Sequence, residues 1–334
     1  MAASDQFQRP LRDLRISVTD RCNFRCRYCM PAEIFGPDYQ YLPREDILDY
    51  EEISRLAGVC VSLGVKKLRL TGGEPLLRRD LPELISQLSA LDGLEDLALT
   101  TNGTALAQQA QVLKQAGLQR ITVSLDALDP DVFAQMNGIN ASSEKVIEGI
   151  AEAKKAGLAI KVNAVVQRGV NESEILPLTQ FAIKHELTVR FIEYMDTGAA
   201  HGWNLEKVVP SKDILQLLGN HFKLETLPQN HPGETSVRYQ VDGSAAEIGF
   251  ISSVTQPFCT QCNRARLTAD GHLFTCLFAP NGHDIKSPLR AGASDAELAK
   301  RIQDIWELRS DRYSEIRSHA TPAQPKPEMS YIGG

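Results

Sequence analysis

Between residues 11 and 195, short runs in which every second position is apolar alternate with longer stretches whose apolar positions recur at three- and four-residue intervals. The first period is that of a strand with one buried face, the second that of an amphipathic helix. Six strands are predicted: LRISVT at 14–19, KKLRLTG at 66–72, DLALTTN at 96–102, RITVSLDA at 120–127, AIKVNAVVQ at 159–167 and TVRFIEYM at 188–195. The stretches LAQQAQVLKQAGL and SEKVIEGIAEAKKAGL read as helices with Gly near the expected C-cap. This βα rhythm predicts a parallel sheet with helical crossovers. Its repetition makes the fold α/β, an incomplete (β/α)6 TIM-like barrel.

Successive strand residues face opposite sides, so each strand splits by parity. The first gives Leu14, Ile16 and Val18 against Arg15, Ser17 and Thr19; the second gives Leu68 and Leu70 against Lys67, Arg69 and Thr71. The fourth gives Ile121, Val123 and Leu125 against Thr122, Ser124 and Asp126, while the fifth and sixth put Lys161, Asn163 and Arg190 opposite apolar neighbours. Helices cover the apolar rows, so the polar rows face the lumen and bring Arg15, Lys67, Arg69, Lys161 and Arg190 to one cavity. For any single one of them, pairing with Asp or Glu is an equal reading. Five together call for an anion.

After residue 196 the rhythm breaks. TGAAHGWN reads as a connector, SKDILQLLG as a short helix, SVRYQV, AEIGFIS and GHLFTC as β-like pieces, and SDAELAKRIQDIWELRS as a helix. The expected division is an N-terminal extension at 1–10, a barrel at 11–196, a smaller α+β region at 197–320 that closes the barrel, and a tail at 321–334. The tail is rich in Pro and charge, a composition that predicts flexibility.

The formal charge of −6 and pI near 5.7 set aside a general electrostatic grip on a nucleic acid polymer or an anionic membrane. No apolar run approaches the ~18 residues that span a bilayer, and MAASDQFQRP lacks the plan of a signal peptide, so a cytoplasmic protein is expected. Six of the seven cysteines fall into two compact triads, which favours metal over disulfides. Cys60, on an amphipathic helix, reads as a buried structural thiol.

Cys22, Cys26 and Cys29, spaced C-x3-C-x2-C, follow the first strand and so lie at the C-terminal mouth of the barrel, where active sites of such folds gather. Three thiolates fit a 4Fe-4S cluster with one open iron, or zinc completed from elsewhere in the fold. Cys259, Cys262 and Cys276 are spaced C-x2-C-x13-C, which by spacing alone fits zinc with His272 as a fourth ligand.

The first triad, with Tyr28 before its last Cys, resembles the signature of the radical S-adenosylmethionine (SAM) enzymes. TGGEP at 71–75 is similar to that family's glycine-rich loop. Further likeness runs through LRISVTDRCNFRCRYCMP, RLTGGEPLLR, TTNG, VSLDAL, RFIEYMDTG and CNRARLTADG to the final GG. Over nearly the whole chain the sequence resembles the GTP 3',8-cyclase family of molybdenum cofactor biosynthesis.

The resemblance implies two 4Fe-4S clusters, one per triad, with SAM on the open iron of the first and GTP guanine against the open iron of the second. GTP contacts are implied at Arg15, Arg69, Thr100, Lys161, Arg264, Ala265 and Arg266, to which parity adds Lys67 and Arg190. SAM contacts are implied at Tyr28, Gly73, Ser124 and, through the backbone, Met195. Arg15, Arg264, Arg266, Gly333 and Gly334 are expected to act in catalysis, the last two as a terminus threaded into the site, where Gly alone passes without a side chain. An external electron donor, a downstream pterin-forming enzyme and a homodimer are implied as partners. Two other readings stand: a radical SAM enzyme acting on a peptide, and a non-enzymatic iron-sulfur or zinc module.

Overall fold

The protein, seen as a computed structural model, is described over residues 3–198, 202–317 and 326–333. Six parallel strands run in chain order, β1 (Asp13–Ser17), β2 (Lys67–Thr71), β3 (Asp96–Thr101), β4 (Arg120–Ser124), β5 (Ala159–Val166) and β6 (Thr188–Glu193). Each lies within three residues of its predicted bounds. They are joined by α1 (Tyr50–Ser62), α2 (Leu81–Ser89), α3 (Leu106–Gln115), α4 (Pro130–Asn137), α5 (Ser143–Lys155) and α6 (Ile175–His185). Local sequence sets these helices. Asp49 and Glu52 form a reciprocal capping box on α1, Ser142 caps α5, and the apolar stripes Leu106–Ala110–Leu113 and Val146–Ile150–Ala153 are buried.

The segment after residue 196 is woven into the same sheet. β9 (Glu247–Ile251) pairs in parallel with β6, and β10 (Arg264–Leu267) pairs in parallel with β1. Antiparallel strands β7 (Leu224–Leu227) and β8 (Val237–Val241) extend one edge, and β11 (His272–Phe274) and β12 (His283–Asp284) the other. The order across the described sheet is β12-β11-β10-β1-β2-β3-β4-β5-β6-β9-β8-β7, with eight parallel strands in the middle. β10 falls on RARL, within the family-like stretch CNRARLTADG, where no strand is predicted.

Helices α7 (Ser211–Gly219), α8 (Lys286–Arg290), α9 (Asp295–Glu307), α10 (Tyr313–Ile316) and α11 (Met329–Ile332) complete the C-terminal half. Of the expected tail, residues 326–333 are docked, with Ser330 and Ile332 buried, while 321–325 and 334 lie outside the described residues. Long-range contacts that composition does not register hold it there.

Burial along the strands follows their parity. Leu14, Ile16, Val18, Leu68, Leu70, Ile121, Val123, Val162 and Val189 are fully buried in the core beneath the helices, while their neighbours line the opposite face. No helix of the described residues is long and apolar enough to cross a membrane.

Candidate active site

The parallel register places the two cysteine triads at opposite ends of the sheet. Cys22 follows the C-terminal end of β1, whereas Cys262 precedes β10, which runs parallel to β1 with Asp13 opposite Arg264 and Arg15 opposite Arg266. The basic row lies between them.

At the C-terminal end the GGEP loop is laced to the loop carrying Cys22. Gly73 N–H donates to Thr19 O at 2.8 Å and Glu74 N–H to Arg21 O at 2.8 Å. A Cβ on Gly73 would run into the Arg21 carbonyl, and one on Gly72 into that of Thr19, so glycine is what permits the approach. Burial pushes Glu74 up to about 7, while Asn102 N–H, Thr101 Oγ1 and Leu76 N–H bond its carboxylate. Tyr28 donates to Asp126 Oδ2 at 2.7 Å, tying the triad loop to the end of β4, and Asp126, raised to about 6 by burial, also accepts from Val165 N–H. Ser124 ends β4, and Met195 stands two residues past the end of β6, half-buried, at the same rim.

Arg266, Arg15 and Arg69 stand abreast on β10, β1 and β2. Burial first, then Arg266, Arg69 and Arg264, push Arg15 well below the ordinary arginine value. The Nε atoms of Arg15 and Arg69 are buried with no hydrogen-bond partner, which suits an anion absent from the protein itself. Arg69 Nη1 reaches Thr100 Oγ1 at 3.2 Å and Thr122 Oγ1 at 3.1 Å; Arg190 Nε reaches Asn163 Oδ1 at 2.8 Å and its Nη2 reaches Thr122 Oγ1 at 3.3 Å. Lys67 has acidic neighbours as well, its Nζ lying 3.6 Å from Asp13 and 3.7 Å from Asp96. Burial pushes Lys67 and Lys161 down to about 8 and Arg190 to about 9. Ala265 has the opposite parity to Arg264 and Arg266, and its methyl lies in the apolar core beside Leu14, so only its backbone is available to the lumen side.

At the other end Arg264 lies 3.7 Å from Cys262 Sγ, and Arg264 and Arg309, against the upward push of burial, bring that thiol down to about 7. Backbone N–H groups of Phe24 and Phe278 donate to the sulfurs of Cys22 (3.3 Å) and Cys276 (3.5 Å). All six triad thiols are free and half-buried. These donors fit thiolate ligands of iron-sulfur clusters. Among the described residues no group of three or more His, Cys, Asp or Glu side chains is placed to hold a metal ion, and His272 Nδ1 lies 3.3 Å from Asp270 Oδ2.

The brace behind the second triad has no signature in the local sequence. Buried Asp5 pairs with Arg9 at 2.6 Å and Arg309 at 2.9 Å, while Arg9 Nη1 donates to Cys259 O and Arg309 Nη1 to Cys262 O, each at 2.7 Å. The tail enters between the triads: Arg266 Nη1 donates to Gly333 O, and Gly333 lies against Ser17 and Thr71. Gly334 lies outside the described residues.

Residues 16–182 match the radical SAM superfamily and residues 187–315 the family described as Molybdenum Cofactor Synthesis C. Fold and matched families together define a radical SAM enzyme. The fold is similar to that of Streptococcus suis SuiB bound to S-adenosylmethionine, with a TM-score of 0.61 over 93% of this chain and 68% of that one, at 15% identity. Sequence likeness is far greater to the GTP 3',8-cyclase of Acidothermus cellulolyticus, 48% identical over 99% of this chain and 98% of its own, and to that of Staphylococcus saprophyticus, 47% identical over the same shares. The chain belongs to the GTP 3',8-cyclase family.

Proposed function

We propose that this chain cyclises GTP to 3',8-cyclo-7,8-dihydro-GTP, the first step of molybdenum cofactor biosynthesis, and that it does so with two 4Fe-4S clusters. The observation that carries the reading is the rank of Arg266, Arg15 and Arg69 between two free cysteine triads, with unpartnered guanidinium nitrogens buried beside it. Cys22, Cys26 and Cys29 would hold the first cluster and Cys259, Cys262 and Cys276 the second. When bound, the reduced first cluster and S-adenosylmethionine would supply a 5'-deoxyadenosyl radical, with release of methionine, to take the hydrogen from ribose C3'; that carbon would join C8 of guanine, and the radical left on the base would take one electron, originating from the external donor, and a proton to give the dihydro product.

The protein's own part is placement. Tyr28, Gly73, Ser124 and the backbone at Met195 would seat S-adenosylmethionine at the C-terminal rim. Arg15, Lys67, Arg69, Thr100, Lys161, Arg190, Arg264 and Arg266 would hold GTP, their planar forks and ammonium groups taking the triphosphate so that C3' faces the rim. Thr100 and Thr122, which already orient Arg69, would keep its fork in plane. Gly333 and Gly334 would complete the wall of the site. An external electron donor, a downstream pterin-forming enzyme, a homodimeric state and a cytoplasmic setting accompany this reading.

Anaerobic incubation of the reconstituted protein with S-adenosylmethionine, a reductant and GTP, with mass analysis, tests it. Equimolar 5'-deoxyadenosine and cyclised nucleotide are expected. 5'-Deoxyadenosine formed only when a peptide is supplied would turn the reading toward peptide modification, and neither product would point to a binding module.

A further inference from the structure

Asp196 follows β6 directly after Met195, and three side chains converge on it. Arg317 pairs with Oδ1, Lys326 Nζ lies 2.9 Å from Oδ2, and Tyr313 Oη donates to Oδ2 at 2.6 Å. Lys326 also donates to the Asp196 backbone carbonyl at 3.0 Å and to Tyr313 Oη at 2.6 Å, which uses all three of its protons. Its ammonium sits 4.1 Å from the Tyr313 ring centroid and 5.2 Å from that of Phe278, two rings that stack on each other at 4.6 Å. The Asp196, Arg317 and Lys326 side chains are 12%, 7% and 8% exposed. Breaking a buried cluster of one carboxylate, two cations and a phenol costs more than breaking a surface ion pair, because removing one partner strands the others.

Its position gives it consequence. Arg317 and Lys326 stand on either side of residues 318–325, and Lys326 begins the segment that ends at Gly333 between Ser17 and Thr71. Two residues past Asp196, Gly198 sits at φ +70°, and a methyl there would run into the Glu328 carboxylate. Asp196 and Gly198 thus receive the tail at two successive points, one by charge and one by leaving room. Beyond them, Tyr331 Oη bonds Asp270 at 2.9 Å and Arg266 bonds Gly333 O. Asp196 is thus the first of three anchors along the described part of the tail, ahead of Asp270 and Arg266.

We propose that Asp196 is a positioning residue: through Lys326 it fixes where the C-terminal segment enters the barrel, and with the neighbouring Met195 it ties that segment to the rim where the nucleoside cofactor is seated. Only the activity arm of the test rests on the cyclase reading; the structural arm stands without it.

Hydrogen exchange of the C-terminal peptide is measured in the full chain for Asp196→Asn, Lys326→Met, Gly198→Ala and Asp196→Glu. Asn and Met should speed exchange at Tyr331–Gly333 by roughly ten- to a hundredfold, the loss of one charge-assisted contact, with strands β1–β6 unchanged. The double variant Asp196→Asn/Lys326→Met should be no worse than the worse single, as for residues acting as one unit. Glu should restore part of the protection, and Ala at 198 should lower it. In the reconstituted enzyme, Asn and Met should lower cyclised product per 5'-deoxyadenosine, whereas a merely structural fault would lower both products together. Native exchange at the tail in Lys326→Met would overturn the proposal even if Asp196→Asn fails to fold. A normal product ratio with a loosened tail would overturn the functional half. A wild-type protein that makes no cyclised GTP would sink the cyclase reading and leave the exchange result intact.

Discussion

The Arg266 guanidinium donates to the carbonyl of Gly333, and its Nη1 also lies 3.4 Å from Ile332 O. An arginine expected to hold substrate is thus held by the chain's own last turn, while Arg15 and Arg69 beside it keep buried Nε atoms without partners. Gly333 is at φ +74°, and a Cβ there would lie 2.5 Å from Thr71 Cγ2. Deleting Gly333 and Gly334 should leave folding, iron content and S-adenosylmethionine binding intact but sharply reduce cyclised product per 5'-deoxyadenosine. Gly333→Ala should act in the same direction more mildly, because the methyl displaces the turn without removing it. Equal product ratios for truncated and full-length protein under one reducing condition would refute this.

Arg69 and Arg266 differ in what they give up. Arg69→Ala removes a guanidinium that touches Thr100 and Thr122, and Arg266→Ala removes one that touches the tail. Each should weaken GTP by about ten- to a hundredfold, on the order of 1.5 to 3 kcal/mol for a charge-assisted phosphate contact, with S-adenosylmethionine little affected. Calorimetric titration of GTP and guanosine separates the causes: a loss confined to GTP supports a phosphate contact, and an equal loss for guanosine contradicts it.

What could be read from the chain was local or periodic. Leu14, Ile16 and Val18 are all fully buried, and Arg15 faces the lumen, because strand parity leaves no other arrangement once helices cover one side. β10 escaped notice because Arg264 and Arg266 alternate with Ala265 and Leu267 over four residues, too short a run to distinguish a strand from a basic motif. Docking of the tail depends on Asp196 and Asp270, and the brace of the second triad joins Asp5 to Arg309 across most of the chain. Contacts of that separation leave no periodic trace. Strand parity groups Lys67 with Arg15, but only the register between strands brings Asp13 and Asp96 beside it.

The two triads should load independently, since they occupy opposite ends of β1 and β10. Cys26→Ala should lose about half of the iron, on the expectation of four irons per triad, together with all 5'-deoxyadenosine formation. Cys262→Ala should retain the first cluster and S-adenosylmethionine cleavage while losing GTP turnover. Iron and sulfide analysis with electron paramagnetic resonance of each variant checks this. An intact protein holding zinc and about four irons or fewer would remove the second cluster from the account.

Lys67 and Lys161 give the site a pH dependence of opposite sign for binding and for stability. Both titrate near 8 rather than at 10.5, chiefly because burial disfavours the charged form. Arg69 and Arg120 add to this at Lys67, where Asp13 and Asp96 oppose them; Arg190 and Arg120 add to it at Lys161, where Glu234 and Glu247 oppose them. A triphosphate favours the ammonium form, so binding must take up protons above pH 8, and GTP affinity should fall as pH rises from about 7.5 to 9.5. The triphosphate is already fully ionised there, with its last proton lost near ~6, so its phosphates are not the source of the change. For folding without substrate the sign reverses. Between about 8 and 10.5 the unfolded chain holds protons that the folded lysines have released, so these two groups add stability as pH rises through that window. Titrating GTP in two buffers of different ionisation enthalpy should reveal proton uptake at pH 8.5 that shrinks in Lys161→Met. Pure proton release, or uptake unchanged in that variant, would mean that Lys161 does not face the triphosphate.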